Sequence, residues 1–175
     1  MKYKVVGYGS LMSHRSLKNT VPNREFVPVI VKGYKRVFNL VSDKNAGGDI
    51  LNLEQNMKYF FNGIMFEVNE DELRKIKERE DDYNFIETVA YDLKEKKKFS
   101  PCFISVDFIV GIDHKKQNPN KSYFVLCREA AYHVSKKFGK LWDETTFLAG
   151  GERVADWILR NKDFDSLNSW KGKLR

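Results

Sequence analysis

The densest chemical signal in the chain is Gly7-Tyr8-Gly9-Ser10-Leu11-Met12, directly behind the apolar stretch Tyr3-Lys4-Val5-Val6. Two glycines around one aromatic let the backbone turn sharply and come close to a ligand. Successive backbone N–H groups in such a turn form a concavity for an anion or a developing oxyanion. Two familiar motifs are excluded. Met12 stands where the third glycine of a dinucleotide fingerprint belongs, and no acidic residue closes a βαβ unit about twenty residues on. The order Gly-Tyr-Gly-Ser-Leu is also not the Gly-x-Ser-x-Gly of a nucleophile elbow. A purely structural turn is the plain alternative.

The second signal is a run of carboxylates, Glu78, Glu80, Asp81 and Asp82, where a helix gives way to a strand. Crowded like charges and burial raise a carboxyl pKa, which suits general acid/base work. Glu80 has the best placement, because a helix end followed by a strand start aims a side chain into the open end of a sheet. The competing reading is a solvated acidic turn balanced by Arg74, Lys75, Lys77 and Arg79. His14, His114 and His133 are dispersed without metal-ligand spacing, and Cys102 and Cys127 make no disulfide framework.

The elements that position these residues follow from pattern. Tyr3 to Val6 is a short strand, and residues 13–19 a short helix with Ser13 as N-cap. Pro22-Asn23 turns the chain. Residues 25–31 and 34–41 read as two strands around Gly33, followed by a polar loop from Asp43 to Asp49 with Gly47-Gly48. Ile50 to Leu53 and Phe60 to Val68 read as two more strands, with Gly63 marking a bulge or close approach. Asn69 and Glu72 have the spacing of a capping box that opens a helix to about Glu78, with Leu73 and Ile76 inward. Strands from Phe85 to Leu93 and from Phe99 to Val110 flank a hairpin turn, Lys94 to Lys98. A polar loop over 113–121 leads to a helix over 122–138. Its stripe is Phe124, Cys127, Ala131, Val134 and Phe138, and Gly139 ends it. Cys127 lies on that stripe, which makes it a buried inert thiol. A last helix covers roughly 151–160, with Val154, Trp157 and Ile158 on one face, and the tail Lys171 to Arg175 frays.

Strands first, one acidic-capped helix among them, then helices: that order is α+β, and the glycine-marked bends suggest a small barrel or a strongly curled sheet. The 175 residues suffice for one domain with a sizeable core, a barrel over 1–112 and a helical C-terminal extension over 113–175 packed on it. Thirteen Phe and eight Tyr favour a sheet-rich interior. No apolar run approaches the roughly 20 residues of a membrane span, and the chain opens on a strand rather than a leader, so cytosol is the expected compartment. The net charge of +7 collects at Lys94/Lys96/Lys97/Lys98, Lys115/Lys116/Lys121, Lys136/Lys137/Lys140 and the C-terminus. These lysines sit in turns and on helix surfaces without interleaved aromatics, which argues against a nucleic-acid reader.

Several blocks, in order, resemble the gamma-glutamylcyclotransferase-like family. Gly7-Tyr8-Gly9-Ser10-Leu11 resembles its Tyr-Gly-Ser-Leu loop. Gly33-Tyr34-Lys35-Arg36-Val37-Phe38 is similar to its Gly-aromatic-x-Arg-x-Phe strand. Ile50-Leu51-Asn52-Leu53 is similar to its short apolar strand, and Gly63-Ile64-Met65-Phe66-Glu67-Val68 to its Gly-x-Leu-Phe-x-Val strand. Arg79-Glu80 with Tyr83 resembles its Arg-Glu motif and nearby tyrosine. The likeness covers residues 3 to about 92 well and 99–123 loosely. It implies a small mixed β-barrel flanked by helices. It also implies an intramolecular reaction in which the α-amine of a γ-glutamyl group attacks its own γ-carbonyl, giving 5-oxoproline and a free amine or amino acid. By this resemblance Glu80 is the general acid/base. Tyr8, Gly9, Ser10 and Leu11 supply backbone donors for the glutamyl carboxylate or the oxyanion, and Tyr123 lines the pocket. Ring closure already holds its reactants together, so orientation and proton shuttling are the main tasks, with no metal or cofactor needed.

The chain departs from the family's pattern in three places. Asp81-Asp82 follow the glutamate where many relatives have glycine. Glu78 becomes the base if the register shifts by two residues. Leu11-Met12 lack the tryptophan of glutathione-specific relatives. The extra helical residues at the end serve either as a lid over the pocket or as a homodimer face. Two other readings keep the fold: a γ-glutamylamine cyclotransferase or deacylase, and a non-enzymatic binding protein whose basic surface meets an acidic partner.

Overall fold

The computed structural model describes residues 1–18, 20–22, 25–41, 47–80, 83–107 and 118–167. Expectations placed on Asn23, on residues 43–46, on Asp81 and Asp82, on residues 108–117 with His114, Lys115 and Lys116, and on the tail 171–175 fall outside the described residues.

Strand β1 (Tyr3–Gly7) runs antiparallel to β3 (Ile50–Val68) and parallel to β5 (Lys98–Val106). Strand β5 pairs antiparallel with β4 (Asn84–Asp92), and β4 with β2 (Val27–Leu40). Strand β2 then pairs antiparallel with β3, and the sheet closes. The result is a closed five-stranded mixed barrel with helices around it, an α+β architecture as expected from the order of elements. A short strand β6 (Thr146–Leu148) adds parallel to β2 at Val37↔Phe147.

Alternation along β1 shows why a five-residue strand reads as an apolar run. Val6 points into the barrel core with Val29, Val31, Phe61, Ile64 and Ile104. Val5 points outward into a second cluster with Leu17, Phe66, Leu73 and Ile76, beneath α1 (His14–Leu17) and α2 (Glu70–Arg79). Past Lys4, which is only partly buried, the strand is covered on both faces, so its two valines follow one another without a polar position between them. Helix α2 begins as its sequence predicts: Asn69 Oδ1 accepts from the Glu72 N–H (3.0 Å), and Glu72 Oε2 from the Asn69 N–H (2.8 Å). Ser13 caps α1, accepting from the Ser16 N–H at 3.3 Å.

Three expectations are corrected. The two strands around Gly33 are one strand, β2, which shifts register between Lys32 and Tyr34; Gly33 takes a positive φ of 89° there, a bulge that needs no Cβ. The strands expected at 50–53 and 60–68 are likewise one, β3. Its middle, Glu54 to Lys58, is mostly solvent-exposed, so its polar residues carry no alternation and read as a loop. Finally, Gly139 does not end a helix over 122–138. The break comes at Ser135, whose extended backbone separates α3 (Lys121–Val134) from α4 (Lys136–Thr145), and whose hydroxyl caps α4 by accepting from the Phe138 N–H at 3.0 Å. Gly139 sits inside α4 because the ring of Tyr132 occupies the place of its Cβ.

The helices share the barrel's core. Phe124 of α3, Trp142 of α4, and Trp157 of α5 (Val154–Trp157) belong to the same buried cluster as Phe38 and Phe61. Phe124 meets Trp142, Trp157 and Phe164 edge-on at 5.4–6.2 Å between ring centroids. Among the described residues no helix is long and apolar enough to cross a membrane.

Candidate active site

Where β1 ends, Gly7 passes to a 3₁₀ turn, Ser10–Met12, that is held from both sides. Leu11 is buried in the outer cluster and Met12 in the inner one. Tyr8 is buried, and its hydroxyl donates to the Ser105 carbonyl on β5 at 2.9 Å. Gly9 allows a close approach: the Tyr123 hydroxyl lies 2.8 Å from where a Cβ would stand. The turn spends its carbonyls on Met12 and Ser13, whose N–H groups donate to Gly9 and Ser10. Among the described residues the N–H groups of Gly9, Ser10 and Leu11 have no backbone acceptor, as the first turn of a helix leaves them.

Glu80 follows α2 as its C-cap, its N–H donating to the Ile76 carbonyl at 2.9 Å. Its carboxylate is largely covered and lies 3.2 Å from Arg79 Nε. Arg79 in turn donates to the Ser16 carbonyl (2.7 Å), the Ser16 hydroxyl (2.6 Å) and the Ser10 hydroxyl (3.1 Å), so the Arg-Glu pair ties the end of α2 to the loop. Glu78 points elsewhere. It is exposed and pairs with Arg74 at 2.7 Å, one turn back along α2.

The structure brings the loop residues, Glu80 and Tyr123 to one place and leaves Glu78 outside it. Tyr8, Gly9, Ser10, Leu11, Glu80 and Tyr123 line a single recess, and Tyr83 and Ser105 complete its wall. Tyr83 is held by donating to the Leu51 carbonyl at 2.7 Å. Burial pushes the hydroxyls of Tyr8, Tyr83 and Tyr123 far above their ordinary range, and the neighbouring Glu80 charge adds to the effect. All three therefore stay protonated and present neutral O–H groups around one carboxylate. Burial also raises the Cys127 thiol, beside Tyr123, which keeps it from acting as a thiolate.

The recess holds about 10 Å³, room for roughly one water. Two larger cavities, about 960 and 550 Å³, lie along α3 and α4, the first rimmed by Lys94, Lys136, Lys137 and Lys140 and the second by His14, Arg15 and His133. Those surfaces are larger, whereas the recess gathers one covered carboxylate, Glu80, with the hydroxyls of Tyr8, Tyr83 and Tyr123. Among the described residues no group of three or more His, Cys, Asp or Glu side chains is placed to hold a metal ion.

Pattern reading missed what lies behind the loop. Arg36 of β2 is fully buried, and its guanidinium meets six neutral acceptor atoms. Nε donates to Thr146 Oγ1 (2.8 Å). Nη1 donates to the carbonyls of Asn62 (2.6 Å) and Tyr8 (3.4 Å). Nη2 donates to Asn62 Oδ1 (2.9 Å), Thr145 Oγ1 (3.0 Å) and the Trp142 carbonyl (3.2 Å). Trp142 stacks 4.9 Å over it and also donates its Nε1–H to the Tyr8 carbonyl at 3.3 Å. Burial pushes Arg36 down to about 9, partly offset by Cys127 and Asp143, so it remains a cation at neutral pH. The available signals were an arginine followed by Val37 and Phe38 and its place in the Gly-aromatic-x-Arg-x-Phe resemblance, neither of which gives its partners.

No family model matches the sequence, and no curated protein matches it significantly. Solved structures do. One named gamma-glutamyl cyclotransferase superposes with a TM-score of 0.68 at 15% identity, covering 93% of this chain and 99% of the other. An uncharacterized protein from Homo sapiens gives 0.67 at 16% identity, covering 94% and 99%. A glutathione-specific gamma-glutamyl cyclotransferase from yeast gives 0.54 at 13% identity, covering 74% and 86%. The fold is that of the gamma-glutamylcyclotransferase-like proteins.

Proposed function

We propose that the chain is a gamma-glutamylcyclotransferase-type enzyme, which closes a γ-glutamyl group on itself and releases 5-oxoproline with a free amine or amino acid. One observation carries this reading: within this fold, the Tyr8–Leu11 loop, Glu80 and Tyr123, separated widely in sequence, line one recess. In the reaction the Glu80 carboxylate takes a proton from the substrate's α-ammonium. The freed nitrogen attacks the γ-carbonyl carbon, and the carbonyl oxygen becomes an oxyanion facing the N–H groups of the loop, which have no backbone acceptor among the described residues. Collapse breaks the bond to the leaving nitrogen, which takes the proton Glu80 holds; the ring nitrogen then gives up its second surplus proton through Glu80, and the released amine departs as its ammonium. The protein orients a ring closure whose partners are already joined.

The recess is smaller than a γ-glutamyl group, so its wall moves when substrate binds. Tyr123, whose hydroxyl stands over Gly9, is the part of the wall we assign to that movement. Arg79 holds the loop to α2, keeping Glu80 and the donors in register.

The test is a product assay. Wild type and Glu80→Gln are incubated with γ-glutamyl amino acids, γ-glutamyl amines and glutathione, and 5-oxoproline is read by mass spectrometry. Wild type should form it, and the variant should lose about 10²–10⁴-fold in rate with an unchanged melting profile. Full activity in Glu80→Gln removes that residue from the mechanism, and no product from any substrate with folded wild type removes the reaction.

A further inference from the structure

We propose that Arg36 and Trp142 form a positioning clamp: by gripping the Tyr8 carbonyl from the interior, they aim the Gly9 N–H into the recess as the donor to the reaction's oxyanion. The oxyanion role rests on the cyclotransferase reading above; the clamp itself rests on geometry.

The Tyr8–Gly9 peptide is trans, so its C=O and N–H point in opposite directions. Its C=O faces Arg36 Nη1 at 3.4 Å and Trp142 Nε1 at 3.3 Å, both wholly buried. The Gly9 N–H therefore faces away from the core, on a residue that lines the recess and finds no acceptor among the described residues. The cation contributes beyond orientation. A positive charge on the carbonyl draws electron density along the peptide unit and strengthens the far N–H as a donor.

The clamp accounts for an otherwise expensive arrangement. An apolar side chain in place of a buried charge is often as stable or more so, yet this chain buries a guanidinium with no carboxylate in hydrogen-bond reach among the described residues. It then surrounds that group with supports. Asn62 takes two of its hydrogen bonds and donates its own Nδ2–H to the Phe138 carbonyl at 2.9 Å. Thr145 and Thr146, at the junction of α4 and β6, take two more. The guanidinium is thus fixed by β3, α4 and β6 while one of its donors reaches the loop.

Two variants test this. Trp142→Phe deletes one clamp donor and keeps an aromatic ring over Arg36; Arg36→Lys keeps the charge and loses the fork. On whichever γ-glutamyl substrate wild type converts, Trp142→Phe should lower kcat about tenfold with KM within twofold, the signature of a donor used in the transition state. Arg36→Lys should lower kcat further, and if it fails to fold, Trp142→Phe carries the test. A purely structural role would move the melting temperature and leave kcat and KM of the folded enzyme in place. Independently of activity, the Gly9 amide resonance in protein labelled with ¹⁵N-glycine should shift in Trp142→Phe, because the hydrogen bond to its own peptide carbonyl has changed. An unmoved Gly9 resonance overturns the clamp. A moved resonance with unchanged kcat overturns its role in the reaction. A wild type that converts no γ-glutamyl compound overturns the cyclotransferase reading and the oxyanion role with it, while the resonance still decides the clamp.

Discussion

Arg36 and Arg128 are both buried, and their surroundings are built in opposite ways. Arg128 of α3 forks onto Asp143 of α4, with both oxygens at 2.9 Å, and reaches Asp165 at 2.7 Å; Tyr132 donates to the same Asp143 at 2.8 Å. Burial works against the Arg128 charge, but Asp143 and Asp165 together hold its pKa above the ordinary range. Among the described residues the acceptors around Arg36 are all neutral, and burial outweighs the more distant attraction of Cys127 and Asp143, bringing it down to about 9. The difference separates two uses of one residue type. A guanidinium matched by carboxylates is a staple between helices, with its field cancelled on the spot. A guanidinium met by amide and hydroxyl oxygens keeps its field, and here that field falls on the peptide unit of the proposed active-site loop.

The comparison is most sharply tested by removing the staple. Arg128→Met leaves Asp143 buried without its ion pair and should lower unfolding free energy by about 3–5 kcal/mol, read by urea denaturation, while kcat measured well below the transition stays put. Pairing it with Asp143→Leu should recover much of the loss; a double variant no more stable than the single one would show that the carboxylate was not the source. On the recess side, Gly9→Ala drives a methyl into the Tyr123 hydroxyl and should cost about 1–3 kcal/mol with a drop in activity. Tyr123→Phe in the same chain, by removing the hydroxyl, should restore part of the stability. If it restores none, the contact is not what excludes a side chain at position 9.

Titration gives a smaller effect. The folded state holds the Tyr8, Tyr83 and Tyr123 hydroxyls above the ordinary value of 10.0, while the unfolded chain ionises near it. Their contribution is complete below pH 10 and is lost as pH rises beyond, because the unfolded state releases protons that the folded state retains. Each accounts for at most about 1.4 kcal/mol per pH unit. Melting temperature against pH should fall steeply above pH 10, and less steeply in Tyr123→Phe than in wild type; equal slopes would contradict the burial of that hydroxyl. The smallest effect belongs to a control outside both arginine clusters. Asn69→Ala opens the capping box of α2 and should lower stability by about 1 kcal/mol. It should leave kcat unchanged, since the Arg79 contacts fix the far end of that helix to the loop.

Much of the candidate site was legible because its signals are short. The glycine turn after β1, the Ser13 and Asn69 caps and the placement of Glu80 at a helix end are each specified by residues within a few positions of one another. Glu80 and Tyr123 enter through resemblance, and the structure places both in one recess with the loop. Tyr83 was visible in the sequence only as a neighbour of Glu80, and Ser105 carried no signal at all, being one of several polar residues scattered along its strand.

Taken alone, then, the sequence determined local matters: which stretches bury a face, where α1 and α2 begin, and which glycine turn can gather its backbone N–H groups. Tertiary structure decided the rest. It made one strand of Ile50–Val68 where solvent on both faces had erased the alternation, broke the long helix at Ser135, and closed the barrel through the β2–β3 pairing. It also brought Arg36 and Trp142 to the Tyr8 carbonyl, across separations of 28 and 134 residues. Periodicity and capping act over one or two turns of chain, whereas the partner of a buried charge is chosen by whatever the closed barrel places beside it.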